Sequence, residues 1–456
     1  MQVQQLFNQK LLTKYNTSGP RYTSYPTAVE FNEGFDQSLF EFAVKHSDNQ
    51  NLSLYVHIPF CHSLCYYCGC NKIVTRHQDK ADTYIDHLIC EIKQQAPLFK
   101  QHNVTQLHFG GGTPSFLTQA QMVRLITALK QSFEIADAIE MSIEIDPREI
   151  ELSYIYDLAE LGFNRLSIGV QDTDTKVQTA INRVQSTESI QQIVNKAKQV
   201  GFNSVNLDLI YGLPHQTEHT FAKTLDDILA MDIDRVSLFS YAHLPERFAA
   251  QRKLKNEWLP NPQQKLDLMQ QAMQRLTQAG FVMIGMDHFA KQEDELAIAL
   301  KEGTLHRNFQ GYTTQGDCDL LGLGVSSISA IGRSYSQNVK DLKQYYQNIN
   351  ETGRALEKGY LLNHDDLIRG AVIRSLMCNM RVDKAEIEQA FSINFNQYFA
   401  KEQESLSCFV QDKLLTVTPD AIKVSANASL FLRIIAMTFD AYMQKHLNQQ
   451  RFSRVI

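Results

Sequence analysis

The stretch LYVHIPFCHSLCYYCGCN, residues 54–71, contains more cysteine than any other part of the chain. Cys61, Cys65, Cys68 and Cys70 lie within ten residues and make up half of the eight cysteines. The preceding run, 52–58, alternates aliphatic with more polar residues and predicts a strand. A loop that leaves a strand can turn several thiolates toward one point. The stretch therefore predicts a metal site at a strand-to-loop junction.

Structural zinc and an iron–sulfur cluster are the two candidates for this site. Structural zinc takes four ligands, usually as two short pairs separated by a longer spacer. The chain has no second pair, because its other cysteines are isolated: Cys90, Cys318, Cys378 and Cys408. An iron–sulfur cluster held by Cys61, Cys65 and Cys68 fits the spacing better. Zinc and a set of four unrelated thiols remain the alternatives.

The Cys-x-x-x-Cys-x-x-Cys spacing resembles that of the radical S-adenosylmethionine enzymes. In that family three thiolates hold a [4Fe-4S] cluster, and the iron without a protein ligand can chelate the amino and carboxylate groups of S-adenosylmethionine. The resemblance implies that Cys61, Cys65 and Cys68 are the cluster ligands. Cys70 is then a catalytic residue near the substrate or the path of the departing electron, or else a small buried side chain.

Length and composition limit the possible functions. The 456 residues, 43% of them hydrophobic, are enough for a sizeable core and two domains. The net charge of −6 argues against general attraction to nucleic acid or to an anionic membrane. No apolar run reaches the roughly 18 residues of a membrane span, and the start MQVQQ does not resemble an export signal. We expect a cytoplasmic protein without disulfides that binds acidic substrates through local arginines.

Six strand-like segments alternate with amphipathic helical runs in the first two thirds of the chain. They are Leu52–Ile58, Val104–Phe109, Ile139–Ile145, Asn164–Val170, Ser204–Ile210 and Arg235–Ser240. Repeated β-α units predict an α/β fold with parallel strands and right-handed crossovers. One face of these strands is aliphatic and the other is polar. Because a closed eight-stranded barrel packs bulky aliphatic side chains inside, the polar face predicts an open, partial barrel of about six strands.

Polar residues fall at the carboxyl ends of these strands, where barrel active sites assemble. Glu144, Gln171 and Asp208 are the clearest examples. The segment GGGTP, residues 110–114, follows the second strand, and glycine lets backbone groups approach a ligand without a Cβ in the way. This glycine turn is the predicted seat of the methionine end of S-adenosylmethionine.

The remaining chain contains an arm and a second domain. Tyr15–Ala28 is rich in turn formers and predicts an ordered arm, either functional or packed on the surface. Leu305–Gln315 and Gly322–Ser327 are not typical of core elements. We predict an N-terminal arm (1–50), a catalytic domain (51–355) and a small domain (356–456), with a true boundary between about 340 and 365. The last domain is predicted to be mainly helical and winged-helix-like, with a hairpin around Pro419-Asp420 and no basic stripe for nucleic acid.

Several motifs together resemble the oxygen-independent coproporphyrinogen III oxidases over nearly the whole chain. They are YVHIPFC (55–61), the cysteine loop, GGGTP (110–114), EIDP (144–147), DLIYGLP (208–214) and HRNFQGYTT (306–314). The resemblance implies oxidative decarboxylation of the ring A and B propionates of coproporphyrinogen III to vinyl groups, giving protoporphyrinogen IX in haem biosynthesis. The radical S-adenosylmethionine haem chaperones, which bind haem, are the alternative. They lack the cysteine at Cys70 and the arm GPRYTSYPTA (19–28).

The resemblance also implies two molecules of S-adenosylmethionine. Around the cluster-bound molecule it places Tyr55, Gly111, Glu144 and Ile328. Around the second molecule it places Tyr67, Gly112, Thr113, Gln171, Arg183, Asp208 and Ala242. Spacing alone does not indicate two molecules, although the polar strand face agrees with several of these positions.

The implied reaction removes hydrogen from an unactivated propionate carbon, beyond the reach of a side-chain base at neutral pH, so it needs a 5′-deoxyadenosyl radical. The expected partners are the substrate, a one-electron reductant and an unidentified terminal electron acceptor, and we expect a monomer. The substrate has four carboxylates. Arg21 is predicted to pair with one of them, because arginine binds carboxylate bidentately. The arm would then close over the tetrapyrrole and offer its tyrosines as flat surfaces.

Overall fold

The computed structural model describes residues 7–446 and residue 452. The ends of the predicted arm and of the last predicted domain, 1–6, 447–451 and 453–456, lie outside the described residues, as does the start MQVQQ. The strands are β1 (Asn51–Ile58), β2 (Phe60–Cys61), β3 (Ile73–Val74), β4 (Asn103–Gly111), β5 (Glu134–Ile145), β6 (Arg165–Gln171), β7 (Ser204–Tyr211), β8 (Arg235–Ser240), β9 (Phe281–Gly285), β10 (His288–Lys291), β11 (His306–Asn308), β12 (Gly311–Thr313), β13 (Cys318–Leu323), β14 (Ile328–Ile331), β15 (Ser334–Asn338), β16 (Leu356–Leu361), β17 (Arg381–Asp383), β18 (Leu415–Val417) and β19 (Ala421–Val424).

Helices alternate with strands in the first two thirds of the chain, and most of the C-terminal part is helical. They are α1 (Gln9–Lys14), α2 (Gln37–Lys45), α3 (Asp79–Gln95), α4 (Gln119–Ser132), α5 (Leu152–Leu161), α6 (Thr175–Ala180), α7 (Thr187–Gln199), α8 (Glu218–Leu229), α9 (Pro262–Gln278), α10 (Glu295–Glu302), α11 (Leu342–Thr352), α12 (His364–Asn379), α13 (Lys384–Phe391), α14 (Phe395–Tyr398), α15 (Ala400–Ser405), α16 (Ser407–Gln411), α17 (Leu432–Met437) and α18 (Met443–His446). Within the described residues, no helix has both the length and the apolar character of a membrane span.

The six predicted strands form the centre of a twelve-stranded sheet, in the order β1-β4-β5-β6-β7-β8. They are parallel and adjacent in chain order, as right-handed β-α units require. β10 and β9 extend one edge in antiparallel orientation. β13 pairs parallel with β1 at the other edge, and β14, β15 and β16 continue antiparallel. Since the order of the described strands ends at β16 and β9, the sheet is open, as predicted.

The two faces of the parallel strands differ as the alternation predicts. Leu54, Ile143 and Leu207 point outward and are completely buried in one hydrophobic core. The opposite face lines an open cavity, and its polar residues include Glu144 and Asp208. The polar face therefore builds the lumen of the partial barrel.

The segment around Gly322 is part of the sheet, so the expectation that Gly322–Ser327 is not a core element is wrong for its first residues. β13 pairs with β1 from Asn51 opposite Cys318 to Val56 opposite Leu323. A Cβ at Gly322 would lie 2.5 Å from the carbonyl oxygen of Ile328. The close approach of two backbones therefore requires the glycine that makes the sequence resemble a loop.

The C-terminal part contains the predicted helices and hairpin. β18 and β19 pair around Pro419-Asp420, and β17, which was not predicted, adds a third antiparallel strand. β16 begins at the predicted domain boundary but pairs with β15 in the large sheet. The division of the chain into domains remains a prediction.

The N-terminal arm packs its tyrosines against the C-terminal helices. Tyr15, Tyr22 and Tyr25 are each at most 8% exposed and share a hydrophobic cluster with Phe431. The hydroxyl of Tyr22 also donates to Asp440 at 2.9 Å. These three rings are therefore not available as flat surfaces for a pyrrole, contrary to expectation, because burying them against apolar side chains stabilises the arm on the C-terminal cluster.

Candidate active site

The cysteine loop begins where β1 ends and passes through β2. Cys61 and Cys65 are buried, Cys68 is partly exposed and Cys70 is exposed. Burial, and then the proximity of Cys68 and Cys65, raise the pKa of Cys61 to about 11. The three predicted ligands are thus neighbours, and Cys70 is the most exposed of the four cysteines.

Hydrogen-bond donors point at two of the sulfurs. The hydroxyl of Thr113 donates to Cys61 Sγ at 3.3 Å, and the backbone N–H of Cys70 donates to Cys68 Sγ at 3.4 Å. The hydrogen bond with Cys70 and the nearby Lys72 ammonium lower the pKa of Cys68 to about 6. Both contacts favour a thiolate over a thiol.

Two arginines converge on the third sulfur. Arg183 Nη1 lies 3.4 Å and Arg148 Nη2 lies 3.6 Å from Cys65 Sγ. The same two guanidinium groups bind Asp146 Oδ2, at 3.0 Å and 2.6 Å. Although burial opposes ionisation, these arginines lower the pKa of Asp146 to about 2. Sequence reasoning predicted Arg183 but missed Arg148 and Asp146, of which Asp146 could have been found in the EIDP motif.

The donor set fits an iron–sulfur cluster. Among the residues that the structure describes, no three cysteine, histidine or acidic side chains already surround a common metal position. The thiols of Cys61, Cys65 and Cys68 nevertheless share one short loop, and each receives an N–H or O–H donor. Hydrogen bonds to sulfur are one of the means by which proteins tune such clusters. The guanidinium groups beside Cys65 also offset the negative charge of several thiolates.

The glycine turn after β4 lies directly against the cysteine loop. The N–H of Gly112 donates to the carbonyl of Ile58 at 2.8 Å. A Cβ at Gly112 would lie 2.6 Å from the carbonyl oxygen of Pro59, and a Cβ at Gly111, where φ is +120°, would lie 2.6 Å from the His57 ring. Both positions therefore need glycine, and the turn meets the cysteine loop as predicted.

Glu144 presents a partly exposed carboxylate beside this turn. Its side chain is 45% exposed, and Oε1 lies 3.4 Å from His108 Nε2. Oε2 accepts a hydrogen bond from the N–H of Gly111 at 3.3 Å. Tyr55 stacks on His108 with ring centroids 5.7 Å apart. Hydrogen bonding to Cys68, and to a smaller extent the Glu144 carboxylate, raise the pKa of Cys70.

Replacing Glu144 by alanine is expected to weaken binding of S-adenosylmethionine and leave the cluster in place. Loss of a charged hydrogen-bond acceptor costs about 1.5–3 kcal/mol, or about 10- to 150-fold in Kd. Equilibrium dialysis of anaerobic, cluster-loaded protein measures the Kd, and iron content serves as the control. Glu151→Ala, on an exposed residue, should bind normally. An unchanged Kd in Glu144→Ala would remove Glu144 from the site.

Ile328 reaches the Tyr55 side of the barrel through β13. Tyr55 in β1 pairs with Gly322 in β13, and Gly322 lies against the backbone of Ile328. The four residues assigned to the cluster-bound cofactor therefore form one neighbourhood, with Glu144 and Gly111 on its other side.

Gln171 is the last residue of β6, and Asp208 lies in the carboxyl-terminal half of β7. Gln171 is 8% exposed, with φ at +69°. Asp208 accepts hydrogen bonds from Asn206 at 2.8 Å and from Ser167 at 3.3 Å. Burial, and then repulsion from Glu144, raise the pKa of Asp208 to about 6. Two carboxylates thus face one cavity.

Gln251 joins two predicted cofactor-binding residues and was not predicted from the sequence. It is 2% exposed, and its Nε2 donates to the carbonyls of Tyr67 at 2.9 Å and Ala242 at 3.2 Å. Its Oε1 accepts from the N–H of Leu244 at 2.6 Å. The stretch FAAQRKLK (248–255) contains no pattern that marks this residue.

Arg21 lies at the other end of the row of parallel strands. Its Nη1 donates to Asp287 Oδ2 at 2.9 Å, and its side chain is 39% exposed. Asp287 precedes β10, which pairs with β8, whereas the cysteine loop follows β1. The structure therefore does not bring Arg21 to the cysteine loop, and its predicted contact with a substrate carboxylate remains a prediction.

Comparison with known proteins agrees with this geometry. The chain matches the family model of the radical SAM superfamily over residues 55–228 and that of the HemN C-terminal domain over residues 362–431. The oxygen-independent coproporphyrinogen III oxidase of Salmonella typhimurium is 54% identical over 98% of both chains, and that of Escherichia coli is 54% identical over 100% of both. The solved structure of coproporphyrinogen III oxidase (HemN) from Escherichia coli, a radical SAM enzyme, matches with a TM-score of 0.93 at 54% identity, and the match covers 95% of this chain and 99% of that chain.

These similarities confirm the radical SAM fold and, with it, the [4Fe-4S] cluster and S-adenosylmethionine as the cofactor class. The likeness extends over the arm and the C-terminal part as well as the barrel, because the alignments include nearly all of each chain. The chain belongs to the family of oxygen-independent coproporphyrinogen III oxidases.

Proposed function

We propose that this protein is an oxidoreductase that converts coproporphyrinogen III to protoporphyrinogen IX without oxygen, by oxidative decarboxylation of the ring A and B propionates. The observation that carries the proposal is the 54% identity over the full length of relatives that bear this name. The cysteine loop, the glycine turn and the polar lumen supply the corresponding site.

The residues have distinct tasks in this reaction. When bound, the cluster and S-adenosylmethionine would supply the radical chemistry needed to break an unactivated propionate C–H bond. Cys61, Cys65 and Cys68 would hold the cluster. Glu144 and the glycine turn would orient S-adenosylmethionine. The carboxylate would attract its positively charged methionine end, and the glycines would let the backbone come close to it. Cys70, the exposed cysteine of the loop, would act near the substrate.

A second molecule of S-adenosylmethionine is part of the proposal. Its site would be formed by Tyr67, Gly112, Thr113, Gln171, Arg183, Asp208 and Ala242. Four hydrogen bonds support a common site. Thr113 and Arg183 each donate to the sulfur of a predicted cluster ligand, and Gln251 donates to the carbonyls of both Tyr67 and Ala242. Asp208 faces the same lumen as Glu144.

Asp208→Asn is expected to reduce the bound S-adenosylmethionine from two equivalents to one at neutral pH. The pKa of Asp208 is raised to about 6, so the carboxylate is ionised above pH 6 and becomes protonated as the pH falls through 6. Wild-type protein should therefore lose the second equivalent below about pH 6, whereas Asp208→Asn should show one equivalent throughout. Anaerobic equilibrium dialysis between pH 5 and 8 measures this. Two equivalents in the variant, or one in the wild type at pH 7.5, would contradict the second site.

The partners remain proposals as well. The protein is proposed to be a cytoplasmic monomer that takes single electrons from a reductant and passes the electron released from substrate to an acceptor of unidentified chemistry. Its net charge of −6 disfavours nucleic acid as a partner. Light scattering of the purified protein tests the monomer.

The decisive experiment is an anaerobic assay. Cluster-loaded protein is mixed with coproporphyrinogen III, S-adenosylmethionine and a one-electron reductant, and the product is followed by mass. Two successive losses, each of carbon dioxide and two hydrogen atoms, are expected. Haem binding without porphyrinogen turnover would instead favour the haem chaperone alternative.

A further inference from the structure

Three guanidinium groups from distant parts of the chain meet beside the barrel lumen. They belong to Arg21 in the arm, Arg307 in β11 and Arg433 in α17. Arg21 is paired with Asp287 at 2.9 Å. Arg433 is 6% exposed, and burial, then the charges of Arg21 and Arg307, lower its pKa to about 10. Arg433 binds the two residues directly before Arg21. Arg21 pairs with Asp287, and Arg307 contacts the adjacent Met286, so the three groups converge on one short segment.

Arg433 has a structural part in this arrangement. Its Nε donates to the carbonyl of Pro20 at 2.9 Å, and its Nη2 donates to the carbonyl of Gly19. These bonds hold the arm at the residues directly before Arg21. The C-terminal helix thereby fixes Arg21 beside Asp287, whose carboxylate also contacts His288 Nδ1 at 2.9 Å.

Arg307 has poor partners for a guanidinium group. Its Nη1 lies 2.7 Å from the thioether sulfur of Met286, a weak acceptor. Its Nε is buried and has no hydrogen-bond partner in the part of the chain that the structure describes. The guanidinium lies over the ring of Tyr312, with Cζ 4.9 Å from the centroid. Within residues 7–446, a group with five donors thus has a thioether and an aromatic ring as its contacts and no ion pair with a carboxylate.

The position of Arg307 connects it with the lumen. Tyr312, which is its partner across the β11–β12 pair and lies under its guanidinium, lines the cavity together with His288 beside Asp287. Asp287 lies in the same region and is ionised there. His288, Arg21 and Arg307 hold its pKa well below the usual range, although burial opposes this. The Asp287 carboxylate forms its hydrogen bonds with Arg21 and His288. It therefore does not pair with Arg307.

We propose that Arg307, with Arg21 beside it, binds one propionate carboxylate of the tetrapyrrole at the edge of the lumen. The inference rests on the proposed function, which supplies a substrate with four carboxylates. A chain of net charge −6 attracts such a substrate only through local cations, and the planar guanidinium fork matches a carboxylate bidentately. Arg307 belongs neither to the cysteine loop nor to the residues predicted to bind the cofactors.

Direct binding of substrate tests the inference without turnover. Full-length protein is titrated anaerobically with coproporphyrinogen III in the absence of reductant, and bound ligand is measured by ultrafiltration. Arg307→Gln should raise the Kd at least about tenfold, because a charged hydrogen bond is lost. Arg307→Lys should give an intermediate Kd, since it keeps the charge without the fork. Arg124→Gln, which removes an exposed surface ion pair with Asp82, should bind as the wild type does.

A neutral ligand separates carboxylate binding from packing on Tyr312. The tetra-amide of the same porphyrinogen should bind the wild type and Arg307→Gln equally well. An unchanged Kd for coproporphyrinogen III in Arg307→Gln, or an equal loss for acid and amide, would overturn the proposal. If Arg307→Gln unfolds at lower temperature, Arg307→Lys carries the test. If the wild-type protein decarboxylates the substrate and the Arg307 variants bind it with an unchanged Kd, this inference alone is refuted. If binding depends on Arg307 but the wild-type protein does not decarboxylate the substrate, the proposed reaction alone is refuted.

Discussion

Cys61→Ser, Cys65→Ser and Cys68→Ser are each expected to abolish the iron–sulfur cluster and to lower turnover at least about 1,000-fold, or about 4 kcal/mol of transition-state stabilisation. A hydroxyl is a poor iron ligand beside thiolates, and each of the three sulfurs receives an N–H or O–H donor. Iron and acid-labile sulfide in anaerobically reconstituted protein measure the first effect. Porphyrinogen mass analysis measures the second.

Two other cysteines serve as controls for the ligand set. Cys90→Ser, at an exposed position in α3, should keep both cluster and turnover. Cys70→Ser should keep the iron but lose turnover, because Cys70 lies outside the ligand set on the exposed side of the loop. Wild-type iron and sulfide in any ligand variant, or loss of the cluster in Cys70→Ser, would show that the ligands are assigned wrongly.

Gly112→Ala is expected to lower both cluster content and the affinity for S-adenosylmethionine, the latter about tenfold. The new Cβ would lie 2.6 Å from the carbonyl oxygen of Pro59 and 2.9 Å from that of Phe60. Both are backbone atoms, so either the glycine turn or the start of the cysteine loop must move. Overpacking of this kind costs about 1–3 kcal/mol. Iron analysis and equilibrium dialysis measure the two effects.

Gly370→Ala is the matched control for this substitution. Gly370 lies in α12, and the nearest atom to its added Cβ would be 3.6 Å away, an ordinary contact. This variant should retain the cluster and bind cofactor normally. Normal binding in Gly112→Ala as well would mean that the turn and the loop can separate without affecting the site.

The parts of the site that could be predicted are those written in short stretches of chain. The spacing of Cys61, Cys65 and Cys68 indicates a common loop, because four to eight residues of backbone cannot carry the thiols far apart. The alternation in β5 placed Glu144 on the polar face, and the structure has it facing the lumen. The glycine turn also meets the loop as expected, since parallel neighbours end at the same edge of a sheet.

The parts that could not be predicted join residues that are far apart in sequence. Gln251 contacts Tyr67 across 184 residues, and its surroundings have no periodic or motif signal. β13 was missed because its glycine suggests a loop, whereas the pairing with β1 and the approach of Ile328 require that glycine. The arm was predicted as an ordered segment, but the burial of its tyrosines depends on the apolar surface of helices near the other end of the chain.

The sequence by itself determined the cofactor class, the row of six parallel strands and the polar lumen, because cysteine spacing and side-chain alternation are local properties of the chain. Only the tertiary structure decided which arginine side chains lie beside the cysteine loop and the lumen. Arg148 beside Cys65, and Arg21 near Arg307 and Arg433, come together because sheet pairing and hydrophobic packing close long loops. No short-range pattern encodes such contacts, since any exposed arginine has the same local sequence signature whether or not it reaches a distant carboxylate.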